Sequence, residues 1–193
     1  MSESAWRDFL NPDVTRSRLL AASVYIASFE FLRDRIVSRI RDFLVVPNSD
    51  SEQRYQEEVL SRDSSPVYAS LDWLKENGAI SESDLKTFDR VKDCRNELAH
   101  ELLELVSTEG LPEELPERYD ELVELFRKIE VWWVMEVEVP TDPQFDGQEI
   151  DPEEVLPGPV AGLKVLSDIA LGGEDQSKFY YEQLFGHGPE GNA

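Results

Sequence analysis

The sequence predicts an all-α protein, an up-and-down helical bundle of four to five main helices with a C-terminal extension that is partly irregular and partly short-helical. Three observations lead there. Apolar residues recur at three- and four-residue spacing through long segments that lack Gly and Pro, helix-opening and helix-closing residues bracket those segments, and no stretch shows the sustained alternation of a strand. Residues 134–139 are the one local strand candidate and read better as the frayed end of a helix. With 193 residues, 40% of them hydrophobic, the chain can bury one sizeable core and carry an appendage. The expected organisation is a bundle over residues 1–140, followed over 141–193 by an acidic Pro/Gly-rich segment whose two short helices pack on the bundle or extend from it.

The first element is a helix over residues 15–44. Leu19, Ala22, Ile26, Phe29, Ile36, Ile40 and Phe43 form its stripe, and Val24, Tyr25, Phe31 and Val37 lie outside it. A helix apolar on so wide a face has neighbours on more than one side. Residues 47–65 are rich in Ser, Asp and Glu and read as an exposed excursion with at most a short polar helix over 52–60. Pro66 suits the first turn of a helix reaching Glu76, where Asn77-Gly78 supplies a left-handed stop. Ser81 and Asp84 resemble a capping box that opens a helix to about Thr108, ahead of Gly110 and Pro112. Pro116 opens another, carrying Tyr119, Leu122, Leu125, Phe126, Ile129, Trp132 and Trp133 and ending before Pro140. Trp132 and Trp133 read as core and interface packing. The run 141–159 holds Pro143, Gly147, Pro152, Pro157, Gly158 and Pro159 and reads as an irregular wrap. Short helices over 160–171 and 175–185 and a Gly-rich tail, disordered at its end, complete the chain.

Charge narrows the function classes. A formal charge of -22 argues against broad adhesion to nucleic acid or anionic membrane, since Lys and Arg drive both. Any RNA chemistry has to be local. Acids and bases roughly balance over residues 1–50, while 101–193 hold most of the excess Asp and Glu. Arg16, Arg18, Arg33, Arg35, Arg39 and Arg41 crowd the first long helix, where they form either a foothold for nucleic acid or a solvated face paired with acids such as Asp34 and Asp42. Cys94 is the single cysteine, which excludes an intramolecular disulfide and a Cys-based zinc site. The N-terminus has no secretory pattern, and the most apolar stretch, 19–32, is short and interrupted by Glu30. A cytoplasmic protein without membrane attachment is expected. His187 has no nearby His or Cys, so neither a metal nor a cofactor is expected.

The stretch Arg95-Asn96-Glu97-Leu98-Ala99-His100 stands out from this background. It joins a permanent cation, an amide and one of only two histidines within little more than a helical turn, the raw material for acid/base chemistry on a phosphodiester. At about 100° per residue, Val91, Cys94, Leu98, Leu102 and Leu105 share the core face. His100 falls nearly opposite, with Asn96, Ala99 and Leu103 beside it, and Arg95 lies on the shoulder of the core stripe. A helix with such a second face suits pairing with a symmetry mate, which would bring two copies of these residues together. The plainer use of the same residues is structural: Arg95 pairs with Glu30 on the first long helix or with the acids on the Glu97 side, and His100 is a surface residue. Asp93, Glu97, Glu101 and Glu104 surround the stretch with negative charge.

With Arg95, Asn96 and His100 on a later helix of a bundle opened by a long first helix, the chain resembles the HEPN superfamily (higher eukaryotes and prokaryotes nucleotide-binding). Its ribonuclease members carry an Arg, four to six residues and a His, commonly with a polar residue after the Arg. The resemblance covers about residues 15–138. It implies a homodimer whose motif helices form a composite, metal-independent RNA-cleaving site, in which His100 moves the proton, Arg95 holds the phosphate and Asn96 orients them. RNA as a locally bound substrate, a 2′,3′-cyclic phosphate product, a toxin or antiphage-defence setting and a protein antitoxin or regulatory partner follow from the same resemblance. Some toxins of the superfamily carry a Tyr two residues after the His, which a partner nucleotidyltransferase modifies; Leu102 stands there, so that route of control is not expected. The lopsided charge supports a different expectation, a non-catalytic HEPN-like module whose acidic second half binds a basic partner or mimics nucleic acid.

Overall fold

Asn11 and Pro12 set the long helix that organises the molecule. The Asn11 side chain accepts from the Asp13 amide at 3.0 Å, and Pro12 occupies the first turn, where its missing N–H costs nothing. The computed structural model describes residues 3–45 and 51–186 and contains helices and no strand among them. In order these are α1 (Glu3–Leu10), α2 (Pro12–Leu44), α3 (Ser51–Tyr55), α4 (Pro66–Glu76), α5 (Glu82–Glu104), α6 (Leu115–Trp133), α7 (Val139–Thr141), α8 (Gly158–Leu171) and α9 (Glu174–Phe185). Wider π-helical turns extend α3 over Gln56–Leu60, α5 over Leu105–Glu109 and α6 over Val134–Glu138. The second of these closes at Gly110, whose φ of +86° suits a residue without Cβ and lets its amide reach the Leu105 carbonyl at 2.9 Å.

The fold is an all-helical bundle centred on α2, which lies against α4, α5, α6 and α8. Arg18 reaches the Val106 carbonyl and Glu30 pairs with Arg95, so α5 runs antiparallel to α2. The short connection after Gly110 then turns α6 back along α5. Ala22, Tyr25, Phe29, Leu32, Ile36 and Ile40 of α2 meet Phe88, Val91 and Leu98 of α5 and Leu122, Phe126 and Ile129 of α6 in one core. Complete burial of a side chain such as Leu98 is worth about 1.5–3 kcal/mol. Trp133 stacks on Trp73 with ring centroids 6.1 Å apart, and Trp132 meets Trp73 edge-on. Val160 and Leu163 join the same core, so α8 packs on the bundle, while α9 packs on α8. No described helix is long and apolar enough to cross a membrane.

The structure corrects several sequence expectations. Residues 3–10 form a helix, α1, that docks on α2 and on the turn at Leu105–Glu109. The buried stripe of α2 runs through Tyr25 and Leu32, whereas Leu19 and Phe43 are exposed. Residues 51–60 are no free excursion, because Tyr55 and Val59, one turn apart, are buried against α2 and α4. Helical structure passes Pro140, which follows the π-helical turn of Val134–Glu138 directly and sits at the start of α7. Five of the arginines on α2 are ion-paired: Arg18 with Asp8, Arg33 with Glu30 and Asp34, Arg35 with Glu130, Arg39 with Glu138 and Arg41 with Glu52.

Candidate functional site

The Ser81 capping box fixes where α5 begins, and with it the rotation of every later residue. The Asp84 carboxylate accepts from the Ser81 amide at 2.7 Å, and the Ser81 hydroxyl oxygen accepts from the Asp84 amide at 3.4 Å. Burial pushes the Asp84 carboxyl up, but the bonds from Lys128 and Ser81 outweigh it and hold the group below its ordinary value. From that start, Phe88, Val91, Cys94 and Leu98 turn inward and Leu105 follows, with Leu102 half-buried. The Tyr25 hydroxyl donates to the Val91 carbonyl at 3.0 Å and ties α2 to this face. Burial pushes the Cys94 thiol up, which keeps it protonated and inert.

Arg95 is half-buried on the α2 side. Its Nη2 donates to Glu30 Oε1 and its Nη1 to Asn96 Oδ1 at 3.2 Å, while Nε is buried without a partner among the described residues. The other Glu30 oxygen takes Arg33 Nη1 at 2.6 Å, so one carboxylate holds two guanidinium groups in place. Each terminal nitrogen of Arg95 keeps a second N–H. Asn96 is half-buried, whereas His100, one turn on, is exposed and forms no hydrogen bond or ion pair with the described residues. Ala99 is exposed beside it, as is Leu103 at 77%. Arg95 and Asn96 are therefore brought into contact, and His100 is not joined to either. Five residues of α-helix separate Arg95 from His100 by about 140° around the axis and roughly 7.5 Å along it.

The acids around the stretch are not spread evenly. Asp93, Glu97, Glu101 and Glu104 turn toward the α6 side. Burial, then the charges of Glu101, Glu114 and Glu109, push the Glu97 carboxyl above its ordinary range. Glu97, Asp93, Cys94 and Glu114 line a groove of about 380 Å³ there together with Arg90 and Arg118. The opposite flank, facing α2 and α4, holds Arg33, Lys92 and Arg95. Lys92 Nζ donates to the Tyr68 hydroxyl and to Asp89 Oδ1 at 3.2 Å, and lies 5.0 Å from the Tyr68 ring centroid. A cleft of about 640 Å³ lies between α5, α6 and residues 152–153 and contains none of Arg95, Asn96 and His100.

Sequence reasoning missed the parts played by Arg33, Lys92 and Tyr68, which sit on three helices. Glu30 carried a legible signal, being a carboxylate inside the most apolar run of the chain. His187 lies outside the described residues. No group of three or more His, Cys, Asp and Glu is arranged to hold a metal ion among the described residues. Comparison with protein-family models, curated proteins and solved structures finds no match.

Proposed function

We propose that the protein is a metal-independent endoribonuclease of the HEPN type, acting as a cytoplasmic homodimer in toxin or antiphage-defence chemistry. The observation that supports this best is the division of labour on α5. Arg95 is anchored by Glu30 and Asn96 with N–H groups to spare, and His100 stands unpaired on an exposed face. An imidazole can take the proton from a ribose 2′-hydroxyl or give one to the leaving 5′-oxygen. A guanidinium can bind the scissile phosphate through paired N–H groups and offset the charge that develops on its oxygens. The 2′-oxygen attacks phosphorus, the P–O5′ bond breaks, and the products are a 2′,3′-cyclic phosphate and a 5′-hydroxyl.

One helix separates Arg95 from His100 by too wide an angle to serve a single phosphate readily. A second copy removes the difficulty, because a twofold axis near Ala99 and Leu103 sets the His100 of one protomer toward the Arg95 of its partner. The exposed apolar Leu103, with Leu19 exposed on α2, favours such pairing. The test is incubation of structured and single-stranded RNA in EDTA with wild type, Arg95→Ala and His100→Ala. Cleavage by the wild type, lost in both variants while the helical spectrum is retained, is expected. Cleavage that persists in His100→Ala would remove the proposal.

The acidic lining of the cleft between α5, α6 and residues 152–153 supports a second function, capture of a basic partner. Asp84, Glu117, Asp120, Glu121, Glu124 and Glu153 all face that space. Salt-sensitive binding of a lysine-rich peptide, weakened by Asp120→Asn with Glu124→Gln, is the expected mark of that use, and no binding at low salt would dismiss it.

A further inference from the structure

We infer that the RNA strand crosses α5 on its α4-facing flank and that Lys92 holds a phosphate next to the scissile one. This rests on the ribonuclease function proposed above and assigns the path of the substrate. Two flanks are open to a strand that reaches Arg95 and His100. On the α6 side Asp93, Glu97, Glu101 and Glu104 of α5 are joined by Glu109 and Glu114, and burial together with the charges of Glu101, Glu114 and Glu109 raises the Glu97 carboxyl. The Arg90 and Arg118 side chains on that side are taken by Glu121 and Glu117. A phosphate chain there would meet uncompensated negative charge at every step.

The α2/α4 flank is different. Arg33, Lys92 and Arg95 stand together on it, each held by a carboxylate, Asp34 and Glu30 for Arg33, Asp89 for Lys92 and Glu30 for Arg95. Their charges cancel, so this flank is neutral where the other is negative. The cations also keep donors in hand. Lys92 uses two of its three N–H groups, on Tyr68 and Asp89, and its side chain remains 32% exposed. Lys92 precedes Arg95 by three residues and Asn96 by four, which puts all three on adjoining positions with Cβ atoms about 5–6 Å apart. Tyr68 and Asp89 hold the Lys92 ammonium group in place, so binding a phosphate costs little side-chain entropy. A strand lying on this flank passes from the scissile phosphate at Arg95 and Asn96 to Lys92, moving away from the acids.

The test measures binding of a single-stranded RNA made uncleavable by 2′-O-methyl groups, by fluorescence anisotropy over a salt series, to wild type, Lys92→Gln, Lys92→Arg and Lys86→Gln. Lys86 is exposed on α5 at a rotation about 120° away and serves as the control for net charge. Lys92→Gln should weaken binding roughly tenfold and lower the salt slope by about 0.7, the mark of one lost single-strand phosphate contact. Lys92→Arg should keep most of the affinity, and Lys86→Gln should change it less than about twofold. With cleavable RNA, Lys92→Gln should raise KM and leave kcat near the wild-type value. Equal losses in Lys92→Gln and Lys86→Gln, from a wild type that cuts RNA, would overturn the strand path and leave the ribonuclease proposal standing. A wild type that neither binds nor cuts RNA would overturn both.

Discussion

Arg35→Met tests how the scaffold behind the site is held. Glu130 on α6 is 2% exposed, and Arg35 on α2 grips it with two parallel bonds, Nε to Oε1 and Nη2 to Oε2, each 2.9 Å. Methionine keeps much of the aliphatic stem but leaves a carboxylate buried without its cation. Removing one partner of a buried pair costs about 3–5 kcal/mol, and the 25% exposure of Arg35 places this case near the lower end. At roughly 2–4 °C per kcal/mol for a chain of this size, a loss of about 3 kcal/mol lowers Tm by about 6–12 °C. Circular dichroism melting at neutral pH measures this, with urea unfolding to show that the m-value is unchanged. Arg35→Met with Glu130→Leu should recover most of the loss, since an apolar pair replaces a buried ion pair at little cost. A single variant within about 1 kcal/mol of wild type, or a double variant no better than the single, would refute the assignment.

Two further outcomes follow from the titratable groups of α5. Burial and neighbouring acids raise the Glu97 pKa in the folded state above its ordinary 4.5, so the cost to folding grows as the pH rises past 4.5 and is complete above the folded value. Glu97→Gln should therefore raise Tm at pH 7 and leave it unchanged near pH 4, where Glu97 is largely protonated folded or unfolded; equal gains at both pH values would contradict this. Cys94 is buried with its thiol pushed up, so a colorimetric thiol reagent should label it only upon unfolding, and rapid labelling of the native protein would be the contrary result.

The elements readable in the sequence were those with local chemistry at their ends. Ser81 with Asp84 satisfies backbone groups at the start of α5, Asn77-Gly78 does so at the end of α4, and Pro66 lacks the N–H that a helix start leaves over, so both helices are legible. Asn11-Pro12 carried a comparable start signal for α2, three residues ahead of the start read from apolar periodicity. Helix α1 had no such signal strong enough to read, because its formation depends on docking against α2 and the turn at Leu105–Glu109. Tyr55 and Val59 were concealed by the acids around them, and Leu19 took the place of Tyr25 in the expected stripe because periodicity sets the spacing of a face more firmly than its centre. At the candidate site the rotation of α5 was legible, which placed His100 outward and Arg95 on the shoulder. The division into an acidic and a neutral flank was not, since Tyr68, Glu30, Arg33 and Glu114 reach α5 from distant parts of the sequence.

A composite site is tested most directly by mixing Arg95→Ala and His100→Ala proteins under conditions that let subunits exchange, then measuring RNA cleavage in EDTA. If each site takes Arg95 from one protomer and His100 from the other, half of the dimers are mixed and each holds one intact site of two. Two inactive proteins should then regain about a quarter of the wild-type rate. A mixture that stays inactive, although subunit exchange is shown by size or label and the wild type cuts RNA, would contradict a site shared between two copies.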